Sequence, residues 1–88
     1  RSISAVLAQD GVRIVGLAPG NVLFPGSSWE RKLKENSSAV QRMLEANVPM
    51  GRLGSIQEVA NVAAFLFSPK ASFMTGTVVI VDGGQIKV

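Results

Sequence analysis

The stretch with the clearest potential for chemistry is a tight turn at the end of an apolar run. Residues 18–21 (APGN) follow Val12 to Leu17, in which Arg13 is the only polar residue. Pro19 fixes one backbone dihedral angle, and Gly20 has no side chain to keep a ligand away from the main chain. Ligands of open α/β sheets bind beyond the carboxyl ends of the strands, so the turn is a candidate binding edge. Taken alone, a Pro-Gly pair is also common in ordinary turns.

The residue types that are missing limit the chemistry further. The 88 residues include no Cys, no His and no Tyr. They supply no thiolate or imidazole ligand for a metal and no His general base. Ser2 and Ser4 are interpreted as helix surface residues because no base accompanies them. We therefore expect neither a catalytic residue nor a metal site in this chain.

Charge and hydropathy argue against nucleic acid and membranes. The net charge is +3, and the one basic cluster, Arg31, Lys32 and Lys34, alternates with acidic residues. Glu30 and Glu35 stand four residues from Lys34 and Arg31, the spacing of ion pairs on a solvated helix face. No apolar run is long enough to span a membrane and no secretory leader opens the sequence, so we expect a cytoplasmic protein.

Helical and extended patterns alternate around the turn. Residues 1–8 resemble the last turns of a helix that Gly11 ends, and Val12 to Leu17 is typical of a strand covered on both faces. A second helix is predicted from Trp29 to Ala46, with a break at residues 36–38. Its polar middle is interpreted as a mobile excursion outside the core.

The C-terminal half predicts a helix followed by a strand. Ser55 and Glu58 have the spacing of a capping box, so a helix begins at Ile56, and it ends at Ser68 before a proline. The β-branched run from Thr77 to Val81 is a strand. Strand, helix, strand in this order predicts a parallel pair with a right-handed crossover. Two such strands cannot cover their own faces, so further strands must come from elsewhere.

The order of several motifs resembles the C-terminal third of the short-chain dehydrogenase/reductase family. The blocks are GVRIV, APGNV, PMGRLG, EVANVAAFL, FMTGT and VDGG, and they cover nearly the whole chain. The pattern is similar to classical members such as the 3-oxoacyl-carrier-protein reductases. It implies an α/β fold in which residues 1–88 form the C-terminal portion of one Rossmann-like, doubly wound parallel sheet. The N-terminal, cofactor-binding half would then lie outside this chain.

The resemblance also implies a site. The cofactor would be NAD or NADP, with the nicotinamide lined by Pro19, Gly20, Asn21, Val22 and Phe24. The segment from Phe24 to about Val48 would close over a small carbonyl or alcohol substrate, which would contact Phe24, Trp29 and Met43.

Two positions depart from the family pattern. Gly16 stands where the family usually has Asn, and Phe24 where it usually has a Thr whose hydroxyl helps to hold the nicotinamide carboxamide. Phe cannot donate a hydrogen bond, so Ser27 or Ser28 is a candidate substitute.

The implied function is hydride transfer by a longer parent protein. The family's catalytic Tyr and Lys would precede Arg1, so the 88 residues alone should be inactive. The resemblance further implies a homo-oligomer, a dimer or tetramer, that forms through the Ile56–Phe67 helix and the Thr77–Val81 strand. The alternative is a noncatalytic α/β binding or oligomerisation module.

Overall fold

The computed structural model describes residues 2–85. Within this range the chain forms three α-helices and four strands, and a short 3₁₀ helix at Pro69–Ala71. In chain order the elements are α1 (Ile3–Gln9), β1 (Val15–Pro19), β2 (Val22–Leu23), α2 (Ser28–Asn47), β3 (Gly54–Ser55), α3 (Ile56–Phe67) and β4 (Thr77–Val81). The predicted order of the longer elements is confirmed, and β2 and β3 are additions that sequence patterns did not indicate.

The first helix begins at Ile3. Ser2 is its N-cap, because the Ser2 side chain accepts a hydrogen bond from the Ala5 N–H at 3.2 Å. The prediction had this segment as the end of a helix already under way at Arg1, a residue that lies outside the described part of the chain. Gly11 follows the helix with a φ of 75°, a conformation that favours glycine and fits the predicted stop.

Strand β1 lies further along the chain than the prediction of Val12 to Leu17. It pairs in parallel with β4, from Val15 opposite Thr77 to Pro19 opposite Val81. Earlier residues face a loop instead of a strand: Ile14 N–H donates to Thr75 Oγ1 at 3.0 Å. The apolar run therefore begins before its pairing partner does, and hydrophobicity alone misplaced the start of the strand.

Proline is compatible with the last position of β1. The Gly20 N–H donates to the Val81 carbonyl at 2.8 Å. Because successive residues of a strand point their N–H groups to opposite sides, the nitrogen of Pro19 points away from β4. The missing N–H therefore costs no hydrogen bond between β1 and β4.

The second helix is two helices joined at Asn36. Asn36 has non-helical backbone angles (φ −159°, ψ 83°), and its side-chain oxygen accepts a hydrogen bond from the Ala39 N–H at 3.0 Å. It ends the first half and caps the second, so the predicted break is confirmed. The predicted ion pairs of the first half are also present, Lys34 with Glu30 at 3.7 Å and Arg31 with Glu35 at 3.9 Å.

The second half of α2 supplies buried core. Val40, Leu44 and Val48 are at most 5% exposed, and Trp29, Leu33, Met43 and Leu53 pack against them. The polar middle, residues 34–38, is exposed as expected, and the buried core residues come after it. The polar residues of the segment belong to the break and the solvent face, while the four-residue spacing of Val40, Leu44 and Val48 makes an inner face.

The third helix begins and ends where predicted. Ser55 Oγ accepts from the Glu58 N–H at 3.1 Å, and the Glu58 carboxylate accepts from the Ser55 N–H at 2.9 Å, which completes the capping box. At the other end, the Arg13 guanidinium donates to the carbonyls of Leu66 (2.7 Å) and Met74 (3.3 Å). The one polar residue of the apolar run thus ties the segment before β1 to the C-terminus of α3. No helix within residues 2–85 is long and apolar enough to cross a membrane.

Candidate functional site at the carboxyl edge of the parallel strands

The APGN turn lies at the carboxyl ends of two neighbouring parallel strands. β1 ends at Pro19, β4 ends opposite it at Val81, and the Gly20 N–H joins the two ends. On its other side, the Asn21 carbonyl accepts from the Gly54 N–H at 2.9 Å, and β2 then pairs in parallel with β3. Hydrogen bonds to β4 and to β3 therefore hold the turn in place.

Glycine at position 20 has a packing role. A Cβ built there would lie 2.8 Å from both Cα and Cβ of Asp82. The turn and the residue after β4 approach each other too closely for any side chain. The sequence interpretation assigned the missing side chain to ligand access, whereas the contacts assign it first to the packing of the turn against Asp82.

Side chains and main chain around residues 82–85 enclose a pocket beside the turn. Its volume is about 300 Å³, and its lining includes Asn21, Val22, Met50, Val81, Gly83 and Gln85. The Asn21 side-chain N–H₂ donates to Gln85 Oε1 at 3.0 Å. The Met50 N–H donates to the Gly83 carbonyl at 3.0 Å. The residues after β4 are thus fastened to the turn and to the loop that follows α2.

Two of the three charged residues that line this pocket, Arg52 and Glu58, pair with each other. Two guanidinium nitrogens of Arg52 each lie 2.8 Å from a carboxylate oxygen of Glu58. These bonds, with those from Ser55, lower the pKa of Glu58 to about 2, and Glu58 raises the pKa of Arg52. Glu58 is therefore an ionised hydrogen-bond acceptor at neutral pH. The pair anchors the start of α3 and supplies no general acid.

The three predicted substrate contacts do not line one pocket. Trp29 and Met43 line a groove of about 290 Å³ between the two halves of α2. Phe24 lines a separate groove of about 480 Å³ with Pro25 and Leu33. Sequence patterns did not indicate that Lys32 joins the first groove, with its Nζ 4.4 Å from the centroid of the Trp29 ring.

The side chain of Ser27 is engaged in starting α2. Its Oγ accepts hydrogen bonds from the N–H groups of Phe24 and Glu30, both at 3.2 Å, and the residue is 8% exposed. Ser28 is exposed at the first helical position. These contacts make Ser27 the N-cap of α2.

The turn and the residues after it carry apolar side chains, and the N-terminus of α3 lies beside them. Pro19 and Phe24 are exposed and Val22 is half-buried. The nearby N-terminus of α3 would ordinarily attract an anion, but Ser55 and the Glu58 carboxylate already accept its hydrogen bonds. The N-terminus of α3 is therefore capped by its own side chains.

The parallel β1 and β4 strands, the helices between them and the turn at their carboxyl edge define part of a Rossmann-like α/β sheet. The profile of a family described as enoyl-(acyl carrier protein) reductase matches residues 1–85. The chain belongs to the short-chain dehydrogenase/reductase family.

Individual relatives are similar to this chain over nearly its whole length. Isoepoxydon dehydrogenase of Penicillium expansum is 44% identical over 84 residues, which cover 96% of this chain and 32% of that protein. The crystal structure of YwfH, an NADPH-dependent reductase, superposes with a TM-score of 0.82 at 35% identity, covering 98% of this chain and 34% of the other. A 3-oxoacyl-[acyl-carrier protein] reductase from Brucella melitensis gives 0.77 at 32% identity, covering 98% and 30%. The chain therefore spans about one third of the length of these relatives.

Proposed function

We propose that this chain is the C-terminal segment of an NAD(P)-dependent oxidoreductase that transfers hydride between a nicotinamide and a small carbonyl or alcohol substrate. The supporting observation is the rigid, apolar turn at the carboxyl edge of β1 and β4, in a chain of this family. The bound nicotinamide would supply or accept the hydride. The residues described here would hold the ring and part of the substrate in place.

The proposed nicotinamide wall consists of the turn and the residues that follow it, namely Pro19, Gly20, Asn21, Val22 and Phe24. The proposed substrate wall consists of Phe24, Trp29 and Met43. Its two grooves lie on either side of the first half of α2, so a substrate would contact that half-helix from one side or the other. The names of the relatives support a dehydrogenase or reductase, and the NADPH dependence of YwfH supports NADPH as one cofactor to test.

The catalytic groups would come from the part of the parent protein that precedes this segment. The 88 residues contain no Tyr, so the family's Tyr and Lys pair cannot be completed here. We therefore propose that the segment alone is inactive and that its single Rossmann-like domain is completed by an N-terminal, cofactor-binding half.

A cytoplasmic homo-oligomer is part of the proposal. Apolar side chains stand exposed on α3 and β4: Phe67 is 88% exposed, Val78 61% and Ile56 60%. Within residues 2–85, β4 pairs on one side only, with β1. An apolar strand with an open edge favours coverage by another chain, and a second copy in a dimer or tetramer would supply it.

The test uses the full-length protein and the 88-residue chain side by side. NADH and NADPH absorbance is followed with a panel of small ketones and aldehydes, and the reverse reaction with secondary alcohols. We expect turnover by the full-length protein and none by the isolated chain. A parent without the Tyr-x-x-x-Lys pair, or one that oxidises neither cofactor with any carbonyl, would refute the function.

The isolated 88-residue chain also tests the alternative, a noncatalytic binding or oligomerisation module. A noncatalytic module of this length predicts a cooperative thermal transition for the isolated 88 residues. The proposed fragment predicts a loosely folded or aggregating chain, because so much apolar surface is exposed.

A further inference from the structure

One side-chain hydrogen bond joins the turn to the residues after β4. Asn21 Nδ2 donates to Gln85 Oε1 at 3.0 Å, across 64 positions of sequence, and both residues are partly buried. The two side chains belong to the lining of the pocket beside the turn. Gln85 directly follows the VDGG block and is not part of it.

The neighbours of Asn21 give this bond its importance. Gly20 before it is bonded to Val81, and Val22 after it starts the β2 pairing with Gly54. The main chain of the turn is therefore fixed at both ends. The Asn21 side chain lies between these fixed points and is held by the Gln85 side chain, so the bond fixes the orientation of the Asn21 amide.

We propose that Gln85 is a positioning residue for the nicotinamide: its hydrogen bond fixes the orientation of the Asn21 side chain, which belongs to the proposed nicotinamide wall. This inference rests on the proposed function, and it adds a residue outside the proposed binding wall. Gln85 acts on the cofactor through Asn21 and is not itself a catalytic residue. Loss of the bond should weaken cofactor binding while it leaves the chemical groups of the active site in place.

The test compares three single variants of the full-length protein. Gln85→Met keeps the length of the side chain and removes the acceptor, whereas Gln85→Glu keeps an acceptor oxygen. Gln57→Met is the matched control. The Gln57 side chain also makes an amide hydrogen bond, to Asn61 at 2.6 Å, but this bond lies on the exposed surface of α3. Dissociation constants for NADH and NADPH are measured by fluorescence titration, together with KM and kcat.

We expect Gln85→Met to raise the cofactor dissociation constant and KM about two- to ten-fold, the effect of losing one neutral hydrogen bond. The change in kcat should be smaller. Gln85→Glu should restore most of the affinity, and Gln57→Met should leave it unchanged.

Other results would overturn the inference. These are an unchanged cofactor dissociation constant in Gln85→Met, an equal loss of affinity in Gln57→Met, or an equal loss of affinity in Gln85→Glu. A lower thermal midpoint with unchanged cofactor affinity would assign the bond to stability alone. If the unmodified full-length protein binds neither NADH nor NADPH, the proposed function fails first and the inference fails with it.

Discussion

Replacing Gly20 with alanine tests whether the turn is packed against β4 as closely as the structure shows. The new Cβ would lie 2.8 Å from Cα and Cβ of Asp82, whereas ordinary contacts of a Cβ begin near 3.4 Å. Because one of the two obstructing atoms, Asp82 Cα, belongs to the main chain, the clash can be removed only if the turn or the residue after β4 moves. That movement strains the Gly20 to Val81 hydrogen bond, which is 2.8 Å long. We expect Gly20→Ala to lower the free energy of unfolding by about 1–3 kcal/mol, as overpacking does in other well-packed sites.

Gly54→Ala is the matched control for this experiment. Gly54 bonds to the same turn, but a Cβ there would meet nothing closer than 3.7 Å, the Asn21 carbonyl oxygen. Its substitution should change the stability by less than about 0.5 kcal/mol. Both variants are made in the full-length protein and unfolded in urea, with cofactor affinity measured in parallel. Equal stability of Gly20→Ala and Gly54→Ala would refute the close approach and the packing role of Gly20.

Two further predictions concern charge and the cofactor wall. The pKa of Glu58 is lowered from 4.5 to about 2, so the stability it contributes with Arg52 is present above about pH 4.5 and is lost as the pH falls towards 2. Glu58→Gln should therefore be less stable at neutral pH and show a shallower loss of stability in acid, measured by urea unfolding across this range; an unchanged acid profile would contradict the ion pair. Phe24→Thr restores the hydroxyl usual in the family and should bind the nicotinamide cofactor about two- to ten-fold more tightly than Phe24→Val, which has a similar shape without the hydroxyl. Equal dissociation constants for these two variants would show that the hydroxyl has no partner at this site.

Local signals predicted most of the helical structure. The Ser55 and Glu58 capping box specified the start of α3, since both of its hydrogen bonds form within four residues of sequence. The break in α2 was visible for the same reason, because Asn36 bonds to Ala39 only three residues away. Features determined by neighbours in sequence can be read from sequence.

Features determined by distant partners were misplaced or missed. The start of β1 depends on where β4 begins, because Ile14 bonds to Thr75 and only Val15 reaches a strand partner. β2 and β3 have two residues each, which is too short for a hydrophobic periodicity. They are strands only because they pair with each other. The bond between Asn21 and Gln85 joins residues that are 64 positions apart, and no rule of sequence spacing connects these positions.

The candidate site shows the same division. Its location followed from an apolar strand that ends in Pro-Gly, and the family resemblance named the residues of the wall. The packing role of Gly20 could not be predicted from the sequence, because the atoms that exclude a side chain belong to Asp82, 62 positions later. A ligand-based and a packing-based reason can operate together: the close approach of Asp82 holds the turn still, and a turn that is held still loses less entropy when it binds a planar ring. The stability of Gly20→Ala and its cofactor affinity should therefore fall together. In Gln85→Met the cofactor affinity should fall more than the stability.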